Sequence, residues 1–280
     1  MIPVLTKEQA YKLDKDTIES GHLSQEQLMD NAGKAIAQFF CERIENPFNQ
    51  KVVVVCGKGN NGGDGVIVHS YLKNYSVSSK ILFTEKEHNH TGLLNKYKIS
   101  KSEYSIYNDS TTFNEYDWIV DAIFGVGFKV DPNCPVLDQF HEDLILTMVH
   151  NDLAFNLKKL IFNNIISVDI PSSFLADGGM MSRSSFNQAT YTLALGYPKL
   201  GFFDTDFREY VSTIINIDIG LNKIENHNTN LIEQKDVYDI CKKFILKLNN
   251  HKYTKHCFVI AGSDKYPGAA ILACKAAYKS

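Results

Sequence analysis

The chain lacks paired cysteines, a long apolar run and a leader-like N-terminus. No two of its six cysteines form a CxxC pair, which excludes a disulfide framework and argues against a zinc site. Scattered free thiols favour a reducing, cytoplasmic compartment. No stretch approaches the roughly 20 apolar residues that span a bilayer, and no basic segment with an apolar core marks a signal peptide. The sequence therefore predicts no membrane partner.

A surplus of positive charge is also missing. The formal net charge is −3, and no basic patch interleaved with aromatic residues stands out, so no nucleic-acid partner is expected. The rest of the composition is ordinary for a globular protein, since 44% of the 280 residues are hydrophobic and 22% are charged. A chain of this length can bury a core without disulfides or metals.

The segment KVVVVCGKGNNGGDG, at residues 51–65, organises the rest of the sequence. Its β-branched run predicts a strand buried on both faces. The glycines that follow predict a loop that turns sharply and approaches a ligand closely. Helical spacing begins at residue 66. A strand, a glycine loop and a helix in this order predict an anion-binding site at the helix N-terminus.

Two capping boxes, Thr6 with Gln9 and Ser24 with Gln27, predict a pair of helices before this strand. The second helix places apolar residues between positions 28 and 40 on one face. Such a face packs into a core or forms a subunit interface. The second possibility would make the protein a homodimer that associates through its N-terminal helices.

Further apolar runs alternate with polar or helical segments along the chain. They lie at residues 77–83, 116–124, 165–170, 190–195 and 211–217. Strand–helix alternation of this kind predicts an α/β fold, with a doubly wound, mostly parallel sheet flanked by helices. The sequence thus predicts a Rossmann-like domain over residues 1–222.

The sequence after residue 222 predicts a different organisation. Residues 223–250 are polar at first and then helical, which indicates a linker and a helix. A new strand–loop–helix pattern occupies residues 251–280. About 30 residues cannot bury a core alone, so this piece is either the start of a second domain or an appendage docked on the first.

Polar residues mark the ends of three predicted strands. Asn61, Asp121 and Ser172 lie at or just after these ends, and the carboxyl ends of parallel strands meet at one edge of a sheet. Amide, carboxylate and hydroxyl oxygens are ligands for an alkali or alkaline-earth ion and not for zinc. Alternatively, Asn61 and Ser172 are turn and cap residues.

The glycine spacing at residues 57–62 also matches the dinucleotide-binding fingerprint, with Glu85 near the place of a ribose-binding acid. Against an ordinary dehydrogenase stands Asp64, whose charge would repel a phosphate. His88 and His90 occur in a polar stretch without a third metal ligand, so they are predicted to be solvated loop residues.

Three motifs in fixed order resemble the YjeF N-terminal family, the NAD(P)HX epimerases. They are GKGNNGGDG at 57–65, VDAIFGVGFK at 120–129 and VDIPS at 168–172. SQEQLMDNAG at 24–33, GYPKLGFF at 196–203 and IDIG at 217–220 fit the same family. The resemblance covers roughly residues 1–222, and each of the three site motifs lies at a strand end.

This resemblance implies that the substrate is NADHX or NADPHX, the hydrated form of the reduced nicotinamide cofactor, whose R and S epimers are interconverted. It implies a potassium ion held by Asn61, Asp121 and Ser172. Candidates for catalysis are Asp121, Lys129 and Asp169, although Asp121 could serve as ion ligand instead and Lys129 could be a solvated loop lysine. The implied substrate-binding residues are Asn60, Asn61, Gly62, Gly63, Asp64, Gly125, Val126, Gly127, Phe128, Lys129, Val130, Asp131 and Asp169.

The sequence departs from the family pattern at Ser173 and Val130, where glycines are expected, which puts substrate affinity in doubt. Two other functions stay open at this point. One is a non-catalytic interaction module, since similar domains are scaffolds in RNA-decay factors. The other is a nicotinamide oxidoreductase that uses the glycine spacing at residues 57–62.

A second resemblance concerns the C-terminal part of the chain. HK at 251–252 and VIAGSDKYPGAAILACKAA at 259–277 resemble the beginning of the ADP/ATP-dependent NAD(P)HX dehydratase domain. The chain stops before the nucleotide-binding and catalytic loop of that family. The resemblance therefore implies a truncated start of this domain and no dehydratase activity.

Overall fold

The computed structural model describes residues 1–108, 110–128, 144, 164–172, 174–179, 189–204, 211–224, 229–245, 259, 261, 263 and 267–279. The chain divides into two compact units, one of residues 2–231 and one of residue 1 with residues 232–280. The predicted boundary after residue 222 stays a prediction.

A parallel sheet forms the centre of the larger unit. Within the described residues its strands are β2 (Lys51–Cys56), β3 (Ser78–Phe83), β4 (Tyr104–Ile106), β5 (Trp118–Ala122), β6 (Asn164–Val168), β7 (Tyr191–Leu195) and β8 (Thr213–Ile217). The strand order is β4-β3-β2-β5-β6-β7-β8, and every neighbouring pair is parallel. The order reverses between β2 and β5, where a doubly wound sheet binds its ligands. The predicted α/β fold is confirmed.

The valine-rich strand β2 is covered on both faces, as its sequence predicts. Val52 and Val54 belong to a core cluster with residues of the helix at Gln25–Arg43. Val53 and Val55 point to the opposite side, where they join a cluster that contains Ile119. Alternation along a strand sends successive side chains to opposite faces, so one apolar run fills two layers of core.

The predicted N-terminal helical pair is confirmed as α1 (Lys7–Glu19) and α2 (Gln25–Arg43), and each begins with the expected capping box. The apolar face of α2 buries Ile36 and Phe40 in the core above the sheet. This face is therefore core and not a subunit interface. A dimer through these helices would have to use their exposed faces.

The glycine segment differs from the prediction. Helix α3 spans Asn60–Asn74 and not residues 66–74, so Gly62, Gly63 and Gly65 lie inside its first turns. The prediction that these three glycines belong to a loop was wrong, because close packing as well as a sharp turn favours glycine. Only residues 57–59 connect β2 to the helix.

Several short elements were not predicted from the sequence. Helix α4 spans Thr91–Lys96, and β4 follows it. Two short antiparallel strands, β1 (Ile2–Pro3) and β9 (Asn230–Leu231), pair with each other. The smaller unit contains α5 (Gln234–Ile245) and α6 (Gly268–Lys279). In the described part of the chain, no helix is long and apolar enough to cross a membrane.

Candidate functional site

A cavity of about 1080 Å³ opens at the carboxyl edge of the sheet. Helix α1 and the start of α3 border it, together with the segments that follow β2, β5, β6 and β7. Small-molecule pockets commonly occupy roughly 300–1,000 Å³, so this cavity is large enough for a ligand of dinucleotide size. Its polar lining includes Asp14, Asn61, Asp64, Asp169 and Lys199.

The glycines at the start of α3 are required by close contacts. A Cβ on Gly62 would lie 1.8 Å from the carbonyl oxygen of Gly57. A Cβ on Gly65 would lie 2.7 Å from Cys56 Sγ and 2.8 Å from Ala122 Cβ. By contrast, a Cβ on Gly59 would meet nothing within 4 Å. Gly62 and Gly65 therefore allow the N-terminus of the helix to pack closely against the strand ends.

His90 contacts the connection between β2 and α3 through its side chain. Its ring nitrogen Nε2 lies 2.8 Å from the carbonyl oxygen of Gly57, and the residue is buried at 4% exposure. Burial lowers the pKa of His90, which favours the neutral ring with Nε2–H donating to that carbonyl. The prediction of a solvated loop histidine was therefore wrong for His90, while His88 is half-buried and stacks on Phe83.

Asp121 is fully enclosed at the end of β5. Its carboxylate accepts hydrogen bonds from Ser172 Oγ at 2.6 Å and from the Ser172 amide at 2.9 Å. Ser167 Oγ and the Ile123 amide donate to it at 3.3 Å each. Asp121 does not line the described cavity. The Asp121 carboxylate thus connects β5 to the segment after β6 by hydrogen bonds.

Asn61 lies beside this centre and carries an unsatisfied oxygen. Its Nδ2 donates to the carbonyls of Phe124 at 2.9 Å and Val168 at 3.2 Å. Its Oδ1 is buried and has no hydrogen-bond partner in the described residues. A buried acceptor without a partner is costly, and a cation would satisfy it. The oxygen donors of Asn61, Asp121 and Ser172 fit a hard cation such as potassium.

Asp169 faces the cavity from the end of β6. Its backbone is left-handed at φ 65°, a conformation that aspartate adopts more readily than most residues. The Lys199 ammonium contacts Oδ1, and the amide of Val126 donates to Oδ2 at 3.4 Å. The side chain of Lys199 is 4% exposed, and its Nζ also donates to the Leu195 carbonyl at 2.9 Å. A buried ion pair therefore forms part of the cavity wall.

Two further aspartates, Asp64 and Asp14, line the same cavity. Burial raises the pKa of Asp64 well above its usual range, and the charges of Asp169 and Asp14 add to the rise. Asp14 lies on α1, and the residue taken as a whole is exposed to solvent. Desolvation of its carboxyl group and the nearby Asp169 raise its pKa to about 6, against a lowering effect of Lys199. The cavity lining thus combines several carboxyl groups with three lysines, of which Lys199 is buried.

The segment after β5 forms another wall. Gly125, Val126, Gly127 and Phe128 line the cavity, and a Cβ on Gly125 would lie 3.2 Å from Asn61 Cβ. Lys7 Nζ donates to the Phe128 carbonyl at 2.6 Å, which ties the segment to α1. The N-terminal helix therefore helps to shape this wall.

The structure brings most of the predicted site residues to this edge. Asn60, Asn61, Asp64, Asp169 and residues 125–128 line the cavity, whereas Gly62 and Gly63 do not. The predictions for Lys129, Val130 and Asp131 fall outside the described residues, as does Ser173.

Sequence reasoning missed Asp14 and Lys199. The signal for Lys199 was present, because the segment GYPK follows the end of a buried strand, at the same sheet edge as Asp121 and Asp169. Asp14 stands on an ordinary amphipathic helix, and nothing in its local sequence distinguishes it.

Comparisons with known proteins identify relatives of the chain. The chain is 34% identical over 200 residues to the NAD(P)H-hydrate epimerase of Entamoeba histolytica, a match that covers 70% of this chain and 81% of the relative. It is 30% identical over 266 residues to the bifunctional NAD(P)H-hydrate repair enzyme Nnr of Dictyoglomus turgidum, over 90% of this chain. It spans about half the length of that relative, 48%.

A solved structure shares the fold. The crystal structure of yeast ynu0 has a TM-score of 0.60 and 21% identity, and the match covers 92% of this chain and 99% of the yeast chain. The model of the family described as YjeF-related protein N-terminus matches residues 25–201. The chain therefore belongs to the YjeF-related protein N-terminus family.

Proposed function

We propose that this protein is an NAD(P)H-hydrate epimerase, which interconverts the R and S forms of hydrated NADH or NADPH. The observation that carries the proposal is the cavity at the carboxyl edge, where the Asp169–Lys199 pair and Asp64 face one space. Relatives named NAD(P)H-hydrate epimerase, from Entamoeba histolytica and Giardia intestinalis, support it at 34% and 32% identity. The reaction is an isomerisation in the repair of nicotinamide cofactors.

The reaction requires groups that move protons at one carbon. The carbon to be epimerised bears a hydroxyl group and the ring nitrogen, so the centre must open and close again on the other face. Carboxyl and ammonium groups can accept and donate the protons involved. Asp169 is a carboxylate of the cavity lining whose ion-pair partner is buried.

Substrate binding is assigned to two of the segments that border the cavity. The first turn of α3, with Asn60 and Asn61, offers backbone N–H groups at a helix N-terminus. Residues 125–128 are proposed to hold the phosphate region of the substrate. Asp64 would contact the substrate as a hydrogen-bond donor, because its raised pKa favours the protonated form.

A potassium ion is proposed at Asn61, Asp121 and Ser172. The unsatisfied Oδ1 of Asn61 supports this assignment. A bound cation would neutralise the charge of the buried Asp121 carboxylate and fix the ends of β5 and β6.

Two further properties belong to this proposal. The cytoplasmic compartment is proposed from the unpaired cysteines. The homodimer is proposed to form through the exposed faces of the N-terminal helices.

The decisive experiment follows an R-enriched sample of NADHX by chromatography that separates the epimers. We expect catalytic amounts of the protein to speed its equilibration with the S form, while protein inactivated by heat gives the uncatalysed rate. The same assay with NADPHX measures the preference between the two substrates. Equal rates with folded and with heat-inactivated protein would contradict the proposal. No observation among the described residues favours the interaction module or the oxidoreductase.

A further inference from the structure

Lys199 is buried at the cavity wall with its charge directed at Asp169. The residue is 3% exposed and precedes the short 3₁₀ helix at Leu200–Phe203. Its ammonium contacts Asp169 Oδ1 and donates to the Leu195 carbonyl. An ammonium has three N–H donors. With these two partners in the described residues, one donor is left for a ligand in the cavity.

Asp169 complements this donor with acceptors. Its Oδ1 also accepts a hydrogen bond from the Leu195 amide at 3.4 Å, and its Oδ2 accepts one from the Val126 amide at 3.4 Å. Both of these hydrogen bonds are long, so the carboxylate can still accept a hydrogen bond from a ligand. The wall therefore presents a proton donor and a proton acceptor side by side. Epimerisation needs this pair of groups at a carbon that bears both a hydroxyl group and a nitrogen.

We propose, on the basis of the epimerase function above, that Lys199 is a catalytic acid that works with Asp169 as one proton-transfer pair. The Asp169 carboxylate takes the proton of the substrate hydroxyl group while Lys199 gives a proton to the ring nitrogen. The C–O electrons form a carbonyl, and the C–N bond breaks with its electron pair passing to the nitrogen. The pair is then neutral, as a lysine amine beside an aspartic acid.

The reverse step completes the reaction. Rotation about the adjoining carbon–carbon bond turns the aldehyde, and the nitrogen attacks its other face. The new hydroxyl group takes the proton back from Asp169, and the nitrogen returns its proton to Lys199. Atoms, electrons and charge balance without any co-reactant, and the ion pair ends as it began.

A purely structural role for Lys199 is the competing explanation, because breaking a buried ion pair destabilises a protein. Lys199→Arg separates the two roles. Arginine keeps the positive charge and can still pair with Asp169, but it does not deprotonate in proteins. We expect Lys199→Arg to fold with an unfolding midpoint near that of the wild type and to lose at least about 100-fold in kcat, the size of a general-acid contribution.

A second variant guards against a misfolded protein. Lys199→Met with Asp169→Asn replaces the pair by neutral side chains of similar volume, which are tolerated in place of buried ion pairs. We expect this double variant to fold and to show no acceleration of epimerisation. Lys96→Arg is the matched control, since Lys96 pairs with Glu26 on the exposed surface, and its rate should equal that of the wild type.

The outcomes are distinct. A folded Lys199→Arg variant with kcat within about tenfold of the wild type would overturn the role of Lys199, and so would an active double variant. Those results would leave the proposed function intact, because the wild-type protein would still epimerise NADHX. A wild-type protein without activity would overturn the function itself and this inference with it.

Discussion

Two aspartates end neighbouring parallel strands, yet their surroundings differ. Asp121, on β5, is fully buried and accepts hydrogen bonds from two serine hydroxyl groups and two backbone amides. Asp169, after β6, lines the cavity and pairs with a buried lysine. Both aspartates lie at a strand end, but the hydrogen-bond donors described above for Asp121 are neutral groups, whereas Asp169 is paired with a charged lysine.

This difference assigns different tasks to the two residues. A carboxylate enclosed by neutral donors holds two strand ends together and can also serve a cation. A carboxylate that faces a cavity beside an ammonium can accept a proton from a ligand. The predictions below test this division, beginning with the largest expected effect.

Removing the Asp121 carboxylate should cost the most stability. Asp121→Ala leaves the Ser172 hydroxyl and amide without their acceptor in a buried place. We expect the free energy of unfolding to fall by about 4 kcal/mol, measured by urea denaturation. Asp218→Ala is the matched control, because Asp218 follows β8, is exposed and accepts only the Gly220 amide among the described residues. Equal losses in both variants would contradict the framework role of Asp121.

The glycines at the start of α3 pack closely against neighbouring segments, and Gly62 is the most restricted of them. Gly62→Ala would place its methyl group against the Gly57 carbonyl oxygen and should destabilise the protein by about 3 kcal/mol. Gly59→Ala has open space at its Cβ and should change stability by less than about 1 kcal/mol. Thermal unfolding of the two variants in parallel measures the contrast. Equal effects would mean that the helix start is not tightly packed.

The charge of the cavity wall should appear in the pH dependence of stability. The folded-state pKa of Asp64 is raised, so stability decreases as pH rises from the unfolded-state pKa to the folded-state pKa. Asp64→Asn removes this loss. We expect the variant to gain more than about 1.4 kcal/mol over the wild type at pH 8, the equivalent of one pKa unit, and little at pH 4. A difference that does not change with pH would refute the raised pKa of the Asp64 carboxyl group.

Potassium should produce the smallest effect, and in the Asp121 region only. A cation bound at Asn61 Oδ1 stabilises the folded state by about 1 kcal/mol when its concentration is several times its Kd. Unfolding midpoints in potassium chloride and in choline chloride at equal ionic strength measure this. Asn61→Leu should abolish the difference, whereas Lys199→Arg should retain it. A shift that survives Asn61→Leu would place the ion elsewhere.

Local sequence patterns were enough to predict much of the fold. The valine run at β2 and the capping boxes of α1 and α2 each have one physical interpretation, and the structure confirms them. The start of α3 was predicted wrongly because glycines serve tight turns and tight packing alike. Only the contact between Gly62 and the Gly57 carbonyl distinguishes the two.

The site was predictable only in part, for a related reason. Strand ends identify Asn61, Asp121 and Asp169 as residues of one sheet edge. Which of them faces the cavity depends on contacts between distant segments, such as Ser172 with Asp121 across 51 positions. Lys199 lies 30 positions from its partner Asp169, and no pattern in the sequence shows that they pair.

The most direct test of this account is the epimerisation rate of Asp169→Asn, measured per folded molecule on R-enriched NADHX. Asparagine keeps the shape of the side chain but has no carboxylate to take the substrate proton. The account predicts a rate at least about 1,000-fold below that of the wild type, with the fold retained by circular dichroism. A folded Asp169→Asn variant that epimerises NADHX within about tenfold of the wild-type rate would contradict it.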